Sequence, residues 1–378
     1  MEFRAGALED VERLMLDLSA YDGAKVLVTG HTGFKGSWLC EMLLLAGAEV
    51  HGYALQPPTR PALFRQLKLS KRMASHTIGD VRDIASLADT VERVLPDFVF
   101  HLAAQPLVRI SYQSPVETFD ANVMGTVNLL DAVRTACTSK RGRRRHAGRP
   151  CAVVCITTDK CYENDDSGRA FKESDPLGGA DPYSASKGAC EIAIASYRRS
   201  FFSAEDSMVR VASARAGNVV GGGDWALDRI VPDAMRAFLS GGELAVRNCR
   251  STRPWQHVLE PLTGYLMLGK ALCEGQKYAQ AFNFGPDRRT VRTVGDLVNE
   301  LIKSFPNAHV VDRTSPGAPR EARLLTLDST KAAKVLGWVP KWGFPKTVRM
   351  TAEWYKSVAE GGDARAVTDR QIWEFLRQ

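Results

Sequence analysis

Two short stretches of this chain carry residue types suited to proton transfer at an alcohol. One is Thr158-Asp159-Lys160, directly after the apolar run Cys151-Ala152-Val153-Val154-Cys155-Ile156; the other is Tyr183-Ser184-Ala185-Ser186-Lys187. A Tyr and a Lys four residues apart on a helix lie on one face. The Lys187 ammonium can therefore sit near the Tyr183 phenol and lower its pKa from the ordinary value of about 10. Such a base could take the proton of a sugar hydroxyl while a hydride leaves the same carbon. On spacing alone, the pair could equally share a helix face by accident, so the surrounding elements have to decide.

Those elements begin with Lys25-Val26-Leu27-Val28-Thr29, a buried-strand pattern followed at once by Gly30-His31-Thr32-Gly33-Phe34-Lys35-Gly36 and a helix whose apolar face carries Trp38, Leu39, Met42, Leu43 and Leu45. Strand, glycine turn and helix in this order form a dinucleotide site, with the glycines letting backbone approach a pyrophosphate at the helix N-terminus. The spacing is G-x-x-G-x-x-G. Candidate cofactor contacts are Gly30, Thr32, Gly33, Phe34, Lys35 and Gly36, then Asp80 and Val81, then Leu102, Ala103 and Ala104 at the end of the strand pattern Phe98-Val99-Phe100-His101, with Tyr183 and Lys187 completing the set. The second strand, Glu49 to Leu55, ends without the acid that grips the ribose of NAD, and nearby Arg60 suggests a phosphate contact; NADP therefore stays open beside NAD.

Five or more strands alternating with helices predict an α/β fold, a Rossmann-type doubly wound parallel sheet with ligands at the carboxyl ends of its strands. Asn122 opens a central helix, and Met208 to Arg215 reads as a further strand ending at Gly217-Asn218. Beyond Gly221-Gly222-Gly223 shorter elements are separated by Gly, Pro and Arg, until Arg253-Pro254-Trp255-Gln256-His257-Val258 returns the chain to the large domain. The expected division is 1–220 with 253–285 as the dinucleotide domain, and 221–252 with 286–378 as a smaller, discontinuous substrate domain.

With 378 residues, 44% hydrophobic and 25% charged, the composition is that of a soluble globular enzyme. No apolar run is long enough to cross a bilayer. The first twenty residues suit a short amphipathic helix, with Arg4, Glu9, Asp10, Glu12, Arg13 and Asp17 set among apolar positions, and not a signal peptide. A cytoplasmic protein is expected. Of the net charge of +7, six units come from Lys140, Arg141, Arg143, Arg144, Arg145 and Arg149. That segment is read as a solvated loop, and with no aromatics interleaved it does not predict a nucleic-acid partner. Eight cysteines without a C-x-x-C pair predict reduced, mostly buried thiols, and the seven histidines show no metal-ligand spacing.

From about Gly23 to Trp342 the chain resembles the extended short-chain dehydrogenase/reductase family, through its glycine pattern, Asp80-Val81, Leu102-Ala103-Ala104, and Tyr183 with Lys187. Within it, Gly30 to Gly36, Thr158-Asp159-Lys160-Cys161-Tyr162-Glu163-Asn164, and Arg253-Pro254-Trp255-Gln256-His257-Val258-Leu259-Glu260-Pro261 are similar to the CDP-glucose 4,6-dehydratases. Most sugar-nucleotide dehydratases have Glu where this chain has Lys160.

The resemblance implies dehydration of a CDP-hexose to a 4-keto-6-deoxy sugar with NAD reduced and reoxidised within one turnover, as in deoxysugar and lipopolysaccharide O-antigen synthesis, and a homo-oligomer (dimer or tetramer). It makes Tyr183 the base at the 4-hydroxyl, Thr158 a hydrogen-bond partner of that oxygen, and Asp159 the acid for the departing 6-hydroxyl, a role that needs a raised carboxyl pKa. Lys160 is either the base at C5 or the partner of a phosphate or carboxylate. Asn218, Arg253 and Arg323 fall at substrate-diphosphate positions. Another nucleotide-sugar dehydratase, an epimerase or a decarboxylase remains the alternative, and a dinucleotide-sensing scaffold the rival from another class.

Overall fold

The computed structural model describes residues 17–164, 168–287, 290–313 and 325–378. The expected N-terminal amphipathic helix falls almost wholly outside these residues, and Arg323 lies outside them too. Seven strands form the central sheet: β1 (Lys25–Thr29), β2 (Glu49–Ala54), β3 (Ser75–Ile78), β4 (Phe98–His101), β5 (Cys151–Ile156), β6 (Val209–Ala216) and β7 (Ala281–Phe284), in the order β7-β6-β5-β4-β1-β2-β3. Every pairing is parallel. The central strands are near-continuous apolar runs because helices cover both faces; β5 is buried at all six positions. Strand order reverses between β1 and β4, whose ends meet at Thr29 opposite His101. In open α/β sheets ligands bind at such a point.

Flanking helices include α1 (Phe34–Leu45), α2 (Ile84–Val94), α3 (Gly125–Thr138), α4 (Lys140–Arg145), α5 (Pro182–Phe201), α6 (Ile230–Ser240), α7 (Leu259–Glu274), α8 (Val294–Ile302), α9 (Phe344–Ala359) and α10 (Ala364–Leu376). Helix α5 starts sharply: Asp181 accepts the Ser184 N–H at 2.9 Å, and Pro182 needs no partner in the first turn. Before α3, the segment Asp120–Met124 runs as a π-helical turn, so the helix expected from Asn122 begins a few residues later. One apolar core joins the sheet's α1 face to Leu244 and Val246 of the short strand Glu243–Val246, to α8 and to α10, through residues such as Trp38, Leu297 and Phe375.

The basic segment is solvent-exposed as expected, with Lys140, Arg141, Arg143, Arg144 and Arg145 all exposed, but it is not a loop. It folds as α4, and most of its cations are tied down: Arg145 pairs with Asp97 at 2.5 Å, Arg141 donates to the Glu92 and Arg93 carbonyls, Arg143 to the Thr138 carbonyl, and Arg149 to the Ala20 carbonyl while lying over the Phe98 ring. The carbonyls met by Arg141 and Arg143 end α2 and α3, where the helix dipole is negative. A charge run therefore becomes a docked element through tertiary partners that local sequence does not reveal. All eight cysteines are free thiols, six of them buried. No described helix is long and apolar enough to cross a membrane.

Candidate active site

Strand β5 delivers Thr158, Asp159 and Lys160 on a 3-10 turn (Asp159–Cys161) at the carboxyl edge of the sheet. Helix α5 brings Tyr183 and Lys187 to the same edge. Thr158, Asp159, Tyr183 and Lys187 are each 6–9% exposed, a depth at which ionic groups are costly to desolvate. The Thr158 hydroxyl donates to Asp159 Oδ1 at 2.9 Å, and both side chains lie close enough to the Tyr183 phenol to act on its pKa. Burial raises the Asp159 pKa above the usual carboxylate range, against the pull of Lys160, the Thr158 hydrogen bond and Lys35. An acid that gives up its proton in catalysis is helped by a shift in this direction.

The phenol departs from expectation. Burial pushes the Tyr183 pKa up, and what pulls it back is the Thr158 hydrogen bond and the charge of Arg229. Lys187 Nζ points toward the Ile156 carbonyl at 3.5 Å. Spacing placed the ammonium on the right face, but desolvation at the buried site outweighs the neighbouring charge.

Two further cations reach this cluster. Lys35, partly buried in the first turn of α1, has its pKa lowered to about 8 by desolvation first and then by Arg229 and Lys187, with Asp159 opposing. Arg229, at the start of α6, is held by Asp224 at 2.9 Å. The motif gave Lys35 only through its backbone position, and no spacing pattern pointed to Arg229.

The glycine turn fits the dinucleotide that its motif implies. Gly30 has φ +74, and a Cβ there would lie 2.7 Å from Ala103 N; at Gly36 a Cβ would lie 2.2 Å from the Gly30 carbonyl oxygen. Both positions therefore exclude a side chain. Gly33 instead faces open space, its hypothetical Cβ meeting only that oxygen at 3.4 Å, which leaves room for a pyrophosphate against the backbone at the N-terminus of α1. Thr32 Oγ1 fastens the turn to the Leu55 carbonyl at 2.8 Å, and Thr29 Oγ1 accepts the Ala103 N–H at 3.3 Å. These bonds bring Leu102, Ala103 and Ala104 beside the glycines. Asp80, beyond β3, has its carboxylate on Arg82 at 2.6 Å, while Val81 packs against Gly125.

For the substrate candidates, Asn218 is exposed, and Arg253 lies on the short strand Thr252–Pro254, with one guanidinium nitrogen on the Thr252 carbonyl at 2.8 Å. Their neighbours close on the acid: a Cβ at Gly217 would lie 2.8 Å from Asp159 Oδ2 and 4.0 Å from Pro254. Gly217, next to Asn218, thus adjoins Asp159, and Pro254, next to Arg253, lies beside Gly217. Arg60 is exposed.

Residues 27–351 match the family described as GDP-mannose 4,6 dehydratase. The chain belongs to that family. Among its relatives, the CDP-glucose 4,6-dehydratase of Salmonella typhimurium is 43% identical over 96% of this chain and 99% of its own length. The dTDP-glucose 4,6-dehydratase 1 of Escherichia coli is 25% identical over 88% of this chain and 93% of its own. The solved structure of a dTDP-glucose 4,6-dehydratase from Streptomyces venezuelae superposes with a TM-score of 0.70 at 24% identity, covering 90% of this chain and 99% of that one. A UDP-glucose 4-epimerase from Thermotoga maritima gives 0.72 at 21% identity over 88% and 99%. The two structural likenesses carry the Rossmann-type fold, which dehydratases and epimerases share; among these comparisons, chemistry is distinguished by the sequence relatives and the acid at the site.

Proposed function

We propose that this chain is a lyase that dehydrates CDP-glucose to CDP-4-dehydro-6-deoxyglucose. The observation that carries the reading is the buried Asp159 carboxyl, held by the Thr158 hydroxyl near the Tyr183 phenol and with its pKa raised by burial; an epimerase needs no acid for a leaving hydroxyl. The 43% identity to a CDP-glucose dehydratase supports the choice of nucleotide.

When bound, NAD supplies the acceptor for two electrons from C4 and returns them to C6. Gly30, Gly33 and Gly36 would hold the dinucleotide by backbone, with Asp80, Val81, Leu102, Ala103 and Ala104 as its further contacts. Tyr183 takes the 4-hydroxyl proton, and the resulting ketone acidifies C5–H. Asp159 gives its proton to the 6-oxygen as that group leaves as water. Thr158 turns its hydroxyl between phenol, carboxyl and substrate oxygen. Lys160 is assigned the C5 proton. Asn218 and Arg253 take the substrate diphosphate, an arginine–phosphate pair being worth about 1.5–3 kcal/mol, and Arg323 is assigned with them. The smaller region, 221–252 with 286–378, forms the far wall.

A homo-oligomer in the cytoplasm completes this reading. Val116, Tyr112 and Ile192, 76%, 66% and 62% exposed, leave apolar side chains on the helical layer that includes α5, which a second copy would cover. Incubating NAD-loaded protein with CDP-, dTDP-, UDP- and GDP-hexoses and analysing products tests the function. Formation of the 4-keto-6-deoxy product from CDP-glucose, without stoichiometric cofactor consumption, is expected. Inversion of the sugar, or preference for another nucleotide, overturns it.

A further inference from the structure

Tyr183, Lys187 and Glu191 stand one helical turn apart on the buried stripe of α5, and the third has no part in the chemistry above. Its carboxylate is fully engaged: Oε1 accepts the Thr157 hydroxyl at 2.5 Å, and Oε2 accepts the Ser213 hydroxyl at 2.7 Å and Arg215 at 2.8 Å. The Glu191–Arg215 side chains are only 3% and 4% exposed. Arg215 also donates to the Tyr162 hydroxyl at 2.7 Å and to the Glu173 carbonyl at 3.2 Å, and Tyr162 in turn donates to Asn283 Oδ1 at 2.7 Å. Thr157 and Tyr162 are the residues immediately before and after the stretch Thr158-Asp159-Lys160-Cys161. Both ends of the acid-bearing turn are thus tied to one buried ion pair, whose acidic member sits on the helix that carries the base.

We propose that Glu191 and Arg215 are positioning residues that fix Thr158 and Asp159 relative to Tyr183, an inference that rests on the dehydratase reading above. A buried ion pair adds little net stability over well-packed apolar replacements; what this one supplies is a common origin for acid and base. Tyr183 and Lys187 keep their places on a twenty-residue helix without it. Asp159, on a three-residue turn, does not. Loosening the ties therefore damages protonation of the 6-oxygen more than oxidation at C4.

Thr157→Val cuts one tie and Tyr162→Phe the other, each leaving the ion pair in place, while Thr157→Ser restores the hydroxyl. On rapid mixing of NAD-loaded enzyme with CDP-glucose, Thr157→Val and Tyr162→Phe are expected to accumulate reduced nicotinamide and to lose about tenfold or more in kcat, the scale of a misplaced catalytic group. KM should stay near wild type, and Thr157→Ser should keep the wild-type pattern. In the cofactor-free protein, hydrogen exchange across residues 157–162 should quicken in the first two variants alone. Equal loss of both steps, or unchanged partition with unchanged exchange, overturns the proposal. If wild type itself leaves CDP-glucose untouched, the dehydratase reading fails, and the exchange data still decide whether the pair tethers the turn.

Discussion

The glycine cradle after β1 and the acid-bearing turn after β5 lie two strands apart in one sheet, yet they are built by different means. The cradle is a backbone object: its shape follows from where a Cβ cannot fit, at Gly30 and Gly36, and where space is left open, at Gly33. The turn is a side-chain object, in which Thr158 and Asp159 depend on Thr157, Tyr162, Glu191 and Arg215 across two other elements. A site made of backbone tolerates change in its neighbours but none in its own residues. A site hung on buried side chains is sensitive to residues that never meet substrate.

The largest effects are expected at the turn. Asp159→Asn keeps size and removes the proton, so overall turnover should fall by about a hundred- to ten-thousand-fold, the usual contribution of general acid catalysis. Reduced nicotinamide should accumulate, because oxidation at C4 needs no acid. Tyr183→Phe should yield neither reduced cofactor nor product. Loss of the transient signal in Asp159→Asn, with substrate still bound, would place Asp159 in the first step.

The cradle gives the next effects, and they separate its glycines. Gly30→Ala and Gly36→Ala drive a methyl into backbone and should lose folding stability and cofactor binding together, read by thermal unfolding and by calorimetric titration. Gly33→Ala should change stability by less than about 1 kcal/mol. Its NAD affinity should nonetheless fall about tenfold, corresponding to roughly 1.4 kcal/mol. Equal destabilisation at all three would refute the backbone account. Titration with NAD and NADP should favour NAD, and tighter NADP binding that disappears in Arg60→Ala would reverse that choice.

The smallest effect concerns stability. The Asp159 pKa is raised in the folded protein, so the folded state holds this proton more tightly than the unfolded chain. The associated stability is present at acid pH and is lost as pH rises from the ordinary carboxylate range through the folded pKa. Asp159→Asn should therefore be more stable than wild type at neutral pH, by order 1 kcal/mol as for other relieved functional sites. The gain should vanish in acid, and melting curves across that range check it. A variant less stable than wild type at neutral pH would mean that the carboxylate is favoured by its surroundings.

Sequence alone determined what depends on local order. The β1 strand, glycine turn and α1 follow one another without interruption, so the cradle and the parallel sheet could be read from residue type and spacing, and the family from the resemblance of its motifs. The i, i+4 rule likewise placed Tyr183 and Lys187 on one face. Extending the same rule by one turn would have flagged Glu191, but nothing local says that its partner is Arg215, which lies on another strand.

Tertiary structure decided the electrostatics and the long-range contacts. Burial, which spacing cannot measure, raised both the Asp159 carboxyl and the Tyr183 phenol, the direction an acid needs at the first and opposite to the one spacing suggested at the second. Arg229 reached the cluster from a part of the chain without a motif, and α4 docked Arg141 on the end of a helix that is distant in sequence. In each case the deciding quantity is solvent exclusion or the field of groups brought close only by folding, and neither is written in the order of residues along the chain.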